Sequence, residues 1–296
     1  MELRQTGTAA SYYAARVDAV LAQRTRLRGP QPSGDLFAGI RPDGVLLRVD
    51  PHRPLNKNFE IIASYIVPDD VVVDVGGGGG RVSLPLALRC REVINVEPSA
   101  AMGAGFTANA TRAGITNTRV IEGDWLTVEP PIGTVALMNH VTYLTREIVP
   151  FIEKLERAGR RRVLMTINSP PQPSQHRILY EQVHGEPEEI APGHQELLNV
   201  LWEMDILPDV QVLPLPTITP SPVATREAAM SGAMERLKNA QWSFWPLAPD
   251  VEQRLRGLME RRFDDFFTSN ADGFMPRWIT PGREILITWQ PANRGR

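Results

Sequence analysis

Three carboxylates stand where an α/β enzyme would use them. Asp74 ends the apolar run Val71-Val72-Val73, and after Val75 come five glycines, Gly76 to Gly80. Glu97 closes a second short run, Glu92-Val93-Ile94-Asn95-Val96, and Asp124 follows a third, Thr118-Arg119-Val120-Ile121-Glu122, past Gly123. An unbroken β-branched run reads as a strand buried on both faces, as in a parallel sheet. The glycines let the backbone turn sharply and approach a ligand with no Cβ in the way, and Arg81 to Arg89 then has helical character. Strand, glycine turn and helix together mark a nucleotide-type cofactor site. Glu97 lies 21 residues beyond Gly76, the spacing at which a carboxylate can accept both ribose hydroxyls.

Two cofactors compete for this pattern. A dinucleotide fingerprint, Gly-x-Gly-x-x-Gly, needs a third glycine where the helix packs on the strand. Counting from Gly76 and Gly78 that position is Arg81, and from Gly77 and Gly79 it is Val82, so both registers fail. The pattern that fits is apolar-apolar-Asp-apolar-Gly-x-Gly-x-Gly, met by Asp74, Gly76, Gly78 and Gly80. Here the chain resembles the class I S-adenosylmethionine-dependent methyltransferases. That resemblance implies an acid inside the loop, because the cofactor carries a cationic amino group and a sulfonium and has no pyrophosphate to repel it. By the same resemblance, Asp74 sits near the methionine part, Asp124 accepts the adenine amino group, and Trp125 packs on the adenine face. Each acid also has a structural reading as a helix cap or turn residue, and Trp125 one as core.

After a fourth strand, Thr134-Val135-Ala136-Leu137-Met138, comes Asn139-His140-Val141-Thr142-Tyr143-Leu144. In the family this loop flanks the transferable methyl, since sites in such sheets lie beyond the carboxyl ends of the strands. The segment resembles the small-molecule branch. It lacks the Asn/Asp-Pro-Pro-aromatic tetrad of amide and adenine methylation, the cysteine used on pyrimidine carbon, and the acid that holds a divalent cation in catechol-type enzymes. Methyl transfer mainly needs an aligned acceptor and sometimes removal of its proton, and His140 or Tyr143 could serve there. Each could equally close a strand end or line the pocket. His176, His184 and His194 are further candidates, too widely spaced for a metal site.

Length and composition fit a globular enzyme. The 296 residues are 42% hydrophobic and 22% charged, with a net charge of −2 that offers no broad field for phosphate backbones. Only Arg157, Arg160, Arg161 and Arg162 form a basic run, read as solvated charge at a helix C-terminus. The one cysteine, Cys90, excludes a disulfide within the chain and reads as core. No apolar stretch reaches the length of a signal peptide or membrane span, which places the protein in the cytoplasm.

Around the motif the chain supplies a cap and an insertion. Ala9 to Arg28 carries Tyr13, Val17, Val20 and Leu21 at helical spacing and stops at Gly29-Pro30, and residues 1–58 are expected to form an N-terminal helical cap or lid. Tyr12, Tyr13, His52, Arg53, Asn56, Lys57 and Asn58 are its candidate lid residues. Residues 59–215 should form the cofactor-binding core, with strand five at Arg162 to Asn168 and strand six at Val210 to Leu215. Residues 283–296 carry the last strand, Glu284 to Trp289, and a tail. Residues 216–282 are too long for an unstructured loop and read as a helical insertion. Its aromatic residues, Trp242, Phe244, Trp245, Phe263, Phe266, Phe267, Phe274 and Trp278, suit a lid for a bulky apolar acceptor, the subunit interface of a homodimer, or a small core.

The expected fold is therefore a doubly wound, seven-stranded, mainly parallel sheet of the Rossmann-like methyltransferase type, with the last strand antiparallel beside strand six. The resemblance implies methyl transfer from S-adenosylmethionine, leaving S-adenosylhomocysteine, to an oxygen or nitrogen of a small organic acceptor. No metal, nucleic acid or membrane is expected as a partner. The alternatives are methylation of a protein or nucleic acid, and cofactor binding without catalysis.

Overall fold

The computed structural model describes residues 7–29, 34–35, 49–175, 177–217, 221–238, 249–279 and 281–292. His176, Trp242, Phe244 and Trp245 lie outside them. Helix α1 (Ala9–Arg28) starts where the Thr8 side chain accepts from Ser11 N and stops at Gly29. A short α2 (Lys57–Ala63) is capped by Asn56. Then β1 (Val71–Val75), α3 (Ser83–Ala87), β2 (Glu92–Glu97), α4 (Ala100–Arg112), β3 (Thr118–Glu122), β4 (Gly133–Asn139), α5 (Ile148–Ala158) and β5 (Gly159–Ser169) alternate. Helices α6 (Arg177–His184) and α7 (His194–Glu203) lead to β6 (Asp209–Pro216), and β9 (Arg283–Trp289) ends the sheet.

The seven strands lie in the order β3-β2-β1-β4-β5-β9-β6. Strands β1 to β5 pair in parallel, and β9 runs antiparallel between β5 and β6. All five residues of β1 are buried, as an unbroken β-branched run demands of a central strand. One face packs Val73, Val75, Ala136 and Met138 against Tyr13, Val17 and Val20 of α1 and against α5 and α7. The other packs Val72, Val135, Leu137 and Leu286 against Phe59, Leu84 and Phe106. Each such apolar side chain contributes about 1.5–3 kcal/mol on burial, and Tyr13, Val17 and Val20 fasten α1 to the sheet in this way.

One strand boundary differs from the expectation by more than a residue. Strand β5 begins at Gly159, three residues early, because a residue without Cβ can lie against β4; a Cβ there would meet Ala136 N at 2.5 Å. Arg160, Arg161 and Arg162 thus belong to a strand, and two of them are spent on packing. Arg161 pairs with buried Asp70 and donates to Tyr65 O, and Arg162 lies over the Tyr65 ring. Burial pushes the Asp70 carboxyl up, but hydrogen bonds from Arg161, Thr134 and the Val67 amide outweigh it and hold it below the usual carboxylate range.

Between β6 and β9 lie α8 (Arg226–Lys238), α9 (Pro249–Arg261), α10 (Phe263–Phe266) and a hairpin, β7 (Phe267–Asn270) with β8 (Gly273–Pro276). Phe263, Phe266, Phe267, Trp278, Met230, Met234 and Leu255 close a separate apolar cluster, joined by Leu179 of α6. The hairpin escaped the helical reading because its strands are four residues each, too short for a period to show. These described aromatics are core. No helix among the described residues is long and apolar enough to cross a membrane.

Candidate active site

The glycine register read from the sequence is the one the backbone uses. Gly76, Gly78 and Gly80 have φ of 68°, 55° and 84°, the left-handed region in which a Cβ is strained. The loop is held from below by β2. Gly77 N donates to Asn95 Oδ1 at 3.2 Å, Asn95 Nδ2 donates to Gly78 O at 3.1 Å, and Gly78 N donates to Glu97 Oε2 at 2.9 Å. Asn109 of α4 donates to Gly79 O at 2.9 Å. Asn95 and Asn109 were missed by the sequence reading, although an asparagine inside an apolar buried strand was a signal: a fully buried amide needs partners.

Asp74 lies beneath this loop, 1% exposed, and neither carboxylate oxygen has a hydrogen-bond partner. Burial pushes its pKa up to about 7, the nearby Ser83 hydroxyl, outside hydrogen-bonding geometry, offsets part of this, and the Glu97 charge adds to it. An unpaired buried acid costs free energy until a cation or donor reaches it. Glu97, 5% exposed, accepts from Gly78 N and, through Oε1, from Ser99 N at 2.9 Å, leaving one lone pair on each oxygen. Burial raises its pKa against these two amides, and Asp35 raises it further. Asp35 itself accepts from Ser99 Oγ at 2.8 Å, at the start of α4. Nothing in the turn-rich stretch around Asp35 singled it out beforehand.

Asp124 and Trp125 take the turn and core roles that the sequence offered beside the cofactor reading. Asp124 is exposed and its Oδ1 accepts from Leu126 N at 2.8 Å, the turn-residue role. Trp125 is 4% exposed and sits in the core, with Nε1 donating to Phe151 O at 3.3 Å and Lys154 Nζ 5.2 Å from its ring centroid. Its ring is covered by α5 and is not an open face for adenine. Asn139, at the end of β4, accepts from the Thr166 hydroxyl, which leaves its amide hydrogens to donate.

The β4 loop brings His140 and Tyr143 together. His140 has φ 61°, rare for a residue with a side chain and worth roughly 1–3 kcal/mol of strain. Its Nδ1 lies 3.1 Å from the Tyr143 hydroxyl and its Nε2 lies 2.9 Å from Glu284 Oε1, at the start of β9. Tyr143 is 2% exposed and accepts from Asn168 N at 2.7 Å; burial raises its pKa against the amides of Asn168 and Gln172. Glu284 was not singled out by the sequence, because its contact with His140 spans β4, β5 and β9. Val141 covers the glycine loop: a Cβ on Gly76 would meet Val141 Cγ2 at 2.7 Å.

The remaining candidates lie elsewhere. Tyr13 is core, its hydroxyl donating to Thr142 O at 2.7 Å, so α1 is tied directly to the β4 loop. Asn58 is buried and brackets Leu215 by both its amide groups. Arg53 donates to Arg81 O at 2.7 Å, and His52 lies against Ala113 O. Tyr12 and Lys57 are exposed. His184 packs on Tyr180, and His194 opens α7 with its pKa lowered by burial. Cys90 is buried at the amino end of β2, away from the carboxyl ends where the acids gather, and burial pushes its thiol up to about 11. Among the described residues no group of three His, Cys, Asp or Glu side chains could hold a metal.

No protein-family model matches the chain. Among solved structures, YcgJ from Bacillus subtilis superposes with a TM-score of 0.53 at 13% identity, covering 79% of this chain and 99% of that one. BH2331 of Bacillus halodurans C-125, described as a candidate methyltransferase, gives 0.50 at 13% identity, over 78% and 95%. This likeness shows the fold alone, the Rossmann-like sheet of the methyltransferase type. A 56-residue stretch, 19% of the chain, is 46% identical to the 23S rRNA (uracil(1939)-C(5))-methyltransferase RlmD of Aeromonas hydrophila, and the same holds for that of Aeromonas salmonicida. The match spans 13% of the length of those relatives.

Proposed function

We propose that this chain, which has the class I methyltransferase fold, binds S-adenosylmethionine and transfers its methyl group to an oxygen or nitrogen of a small organic acceptor. The observation that carries the reading is the unpaired, buried Asp74 carboxylate beneath a loop whose three glycines take left-handed φ. A dinucleotide would bring a pyrophosphate toward that acid; S-adenosylmethionine brings a cation. The cofactor supplies a methyl on a sulfonium, which is already a good leaving group. Within the chain, Asp74 meets positive charge, Glu97 accepts the ribose hydroxyls with its remaining lone pairs, and Asn139 offers amide hydrogens at the end of β4. Asp124 retains one carboxylate oxygen for the adenine amino group.

A small acceptor is favoured by the net charge of −2 and by the use of Arg161 and Arg162 in packing. The short match to a uracil-C5 methyltransferase favours a second reading, an RNA acceptor. Against it, the chain's one cysteine is Cys90, whose position and raised pKa do not suit a nucleophile.

Calorimetric titration with S-adenosylmethionine, S-adenosylhomocysteine and NAD in parallel tests the reading. Micromolar binding of the first two with none of NAD is expected. Binding of NAD alone sinks it.

A further inference from the structure

We propose that Glu284 is a positioning residue that fixes His140 with Nδ1 as the proton acceptor for a hydroxyl group on the methyl acceptor; this rests on the methyltransferase reading above. Glu284 enters from the antiparallel strand β9, opposite Asn168 of β5. Its Oε1 lies 2.9 Å from His140 Nε2 and its Oε2 accepts from Asn58 Nδ2 at 3.3 Å. Burial raises the Glu284 pKa, but the hydrogen bond from His140, with Asn58 and Arg81, outweighs it and holds the carboxyl below its ordinary value. An ionised carboxylate only accepts, so Nε2 carries the hydrogen.

The other side of the ring accommodates the same tautomer. The Tyr143 oxygen accepts from Asn168 N at 2.7 Å. Its own hydrogen is left to donate, and His140 Nδ1 lies at 3.1 Å. The histidine is thus held with Nε2–H toward Glu284 and a lone pair on Nδ1 toward a hydroxyl. A carboxylate behind an imidazole fixes the tautomer and stabilises the imidazolium that forms when the ring takes a proton.

An acceptor hydroxyl takes the place of the Tyr143 hydroxyl at Nδ1, while Tyr143 keeps its bond from Asn168 N. The O–H proton passes to Nδ1, the acceptor oxygen uses the released electron pair to bond the donated methyl carbon, and the S–C pair stays on sulfur. Solvent then takes the proton from the ring. A neutral amine has a free lone pair and gains little from this base, whereas a hydroxyl gains about 100-fold or more.

The first test needs no acceptor. Long-range proton–nitrogen spectra of the full chain with ¹⁵N-labelled histidine, His140 being assigned by loss of its signals in His140→Gln, are expected to show a single Nε2–H tautomer. Glu284→Ala is expected to give a mixture. A wild-type Nδ1–H form, or an unchanged tautomer in Glu284→Ala, overturns the proposal. The second test follows radiolabelled methyl from S-adenosylmethionine to phenol, aniline and thiophenol probes. Phenol is expected to be methylated, and Glu284→Gln, which keeps the size of the side chain, to slow this at least tenfold with cofactor affinity within twofold. Transfer to aniline or thiophenol alone, transfer to no probe, or a wild-type rate in Glu284→Gln overturns the assignment. Failure of the wild type to bind S-adenosylmethionine overturns the methyltransferase reading instead and leaves the tautomer result standing.

Discussion

Asp74 and Gly77 are in direct steric registry: a Cβ on Gly77 would stand 2.1 Å from Asp74 Oδ2, and 2.6 Å from Asn95 Oδ1. Gly77 has no left-handed φ, so it is the close approach of the acid that requires glycine there. The carboxylate is folded against the inner side of the loop.

This placement has a pH signature. Asp74 is raised from 3.8 to about 7 in the folded protein, so between those values the folded state holds more protons than the unfolded chain. Stability therefore falls as pH rises from about 4 to about 7 and is level above. Asp74→Asn is expected to remove this slope, raise Tm above pH 7, and weaken S-adenosylmethionine at least tenfold, about 1.4 kcal/mol. Thermal denaturation across pH, with calorimetry of the same variant, checks both; wild-type affinity in the folded variant would falsify the site assignment.

Glu97 is expected to respond differently. It accepts one backbone amide on each oxygen, so Glu97→Gln turns one of those contacts into two donors facing each other. A stability loss of about 1–3 kcal/mol should accompany an affinity loss of at least tenfold. Urea denaturation and cofactor titration of the variant measure the two together.

The glycine loop can be tested against a second left-handed glycine. Gly80 and Gly114 have φ of 84° and 68°, but a Cβ on Gly80 would lie 2.5 Å from Leu84 Cγ and 2.7 Å from Phe106 Cδ2, whereas one on Gly114 meets nothing within 4 Å. Gly114→Ala should cost only the backbone strain, about 1–2 kcal/mol. Gly80→Ala should add overpacking of about 1–3 kcal/mol. Equal losses on chemical denaturation would show that the contacts around Gly80 are not as described.

Phe263 is 2% exposed, stacked on Phe267 at 4.7 Å and edge-on to Phe274 at 5.1 Å. Phe263→Ala should remove about 3–5 kcal/mol from the cluster between β6 and β9. Because that cluster is separate from the two faces of the sheet, amide exchange should rise in α8 to β8 while S-adenosylmethionine affinity stays within twofold. Uniform loss of protection across the sheet would contradict a separate core.

Strands β1, β2 and β4 could be read to within a residue because each is a buried apolar run with a polar or glycine end, and burial on both faces leaves little choice of sequence. The glycine register was equally legible: only one of the competing patterns fits Gly76, Gly78 and Gly80, and φ is a local property. The β7–β8 hairpin was hidden because its short strands gain their stability from the surrounding aromatic cluster rather than from a period. Trp125 was ambiguous for a similar reason, since what covers an indole depends on the helix packed above it.

By itself, then, the sequence determined the central strands, the loop and the acids at the ends of β1 and β2, all of which follow from local backbone chemistry and hydrophobic burial. Only the tertiary structure decided what lies between elements far apart in the chain. Asn95 and Asn109 brace the loop from two elements, Arg161 reaches back to Asp70, and Glu284 meets His140 across 144 positions of sequence. A side-chain hydrogen bond has no period and no spacing rule. It exists only where the fold brings donor and acceptor within about 3 Å in an environment dry enough to make the pairing count.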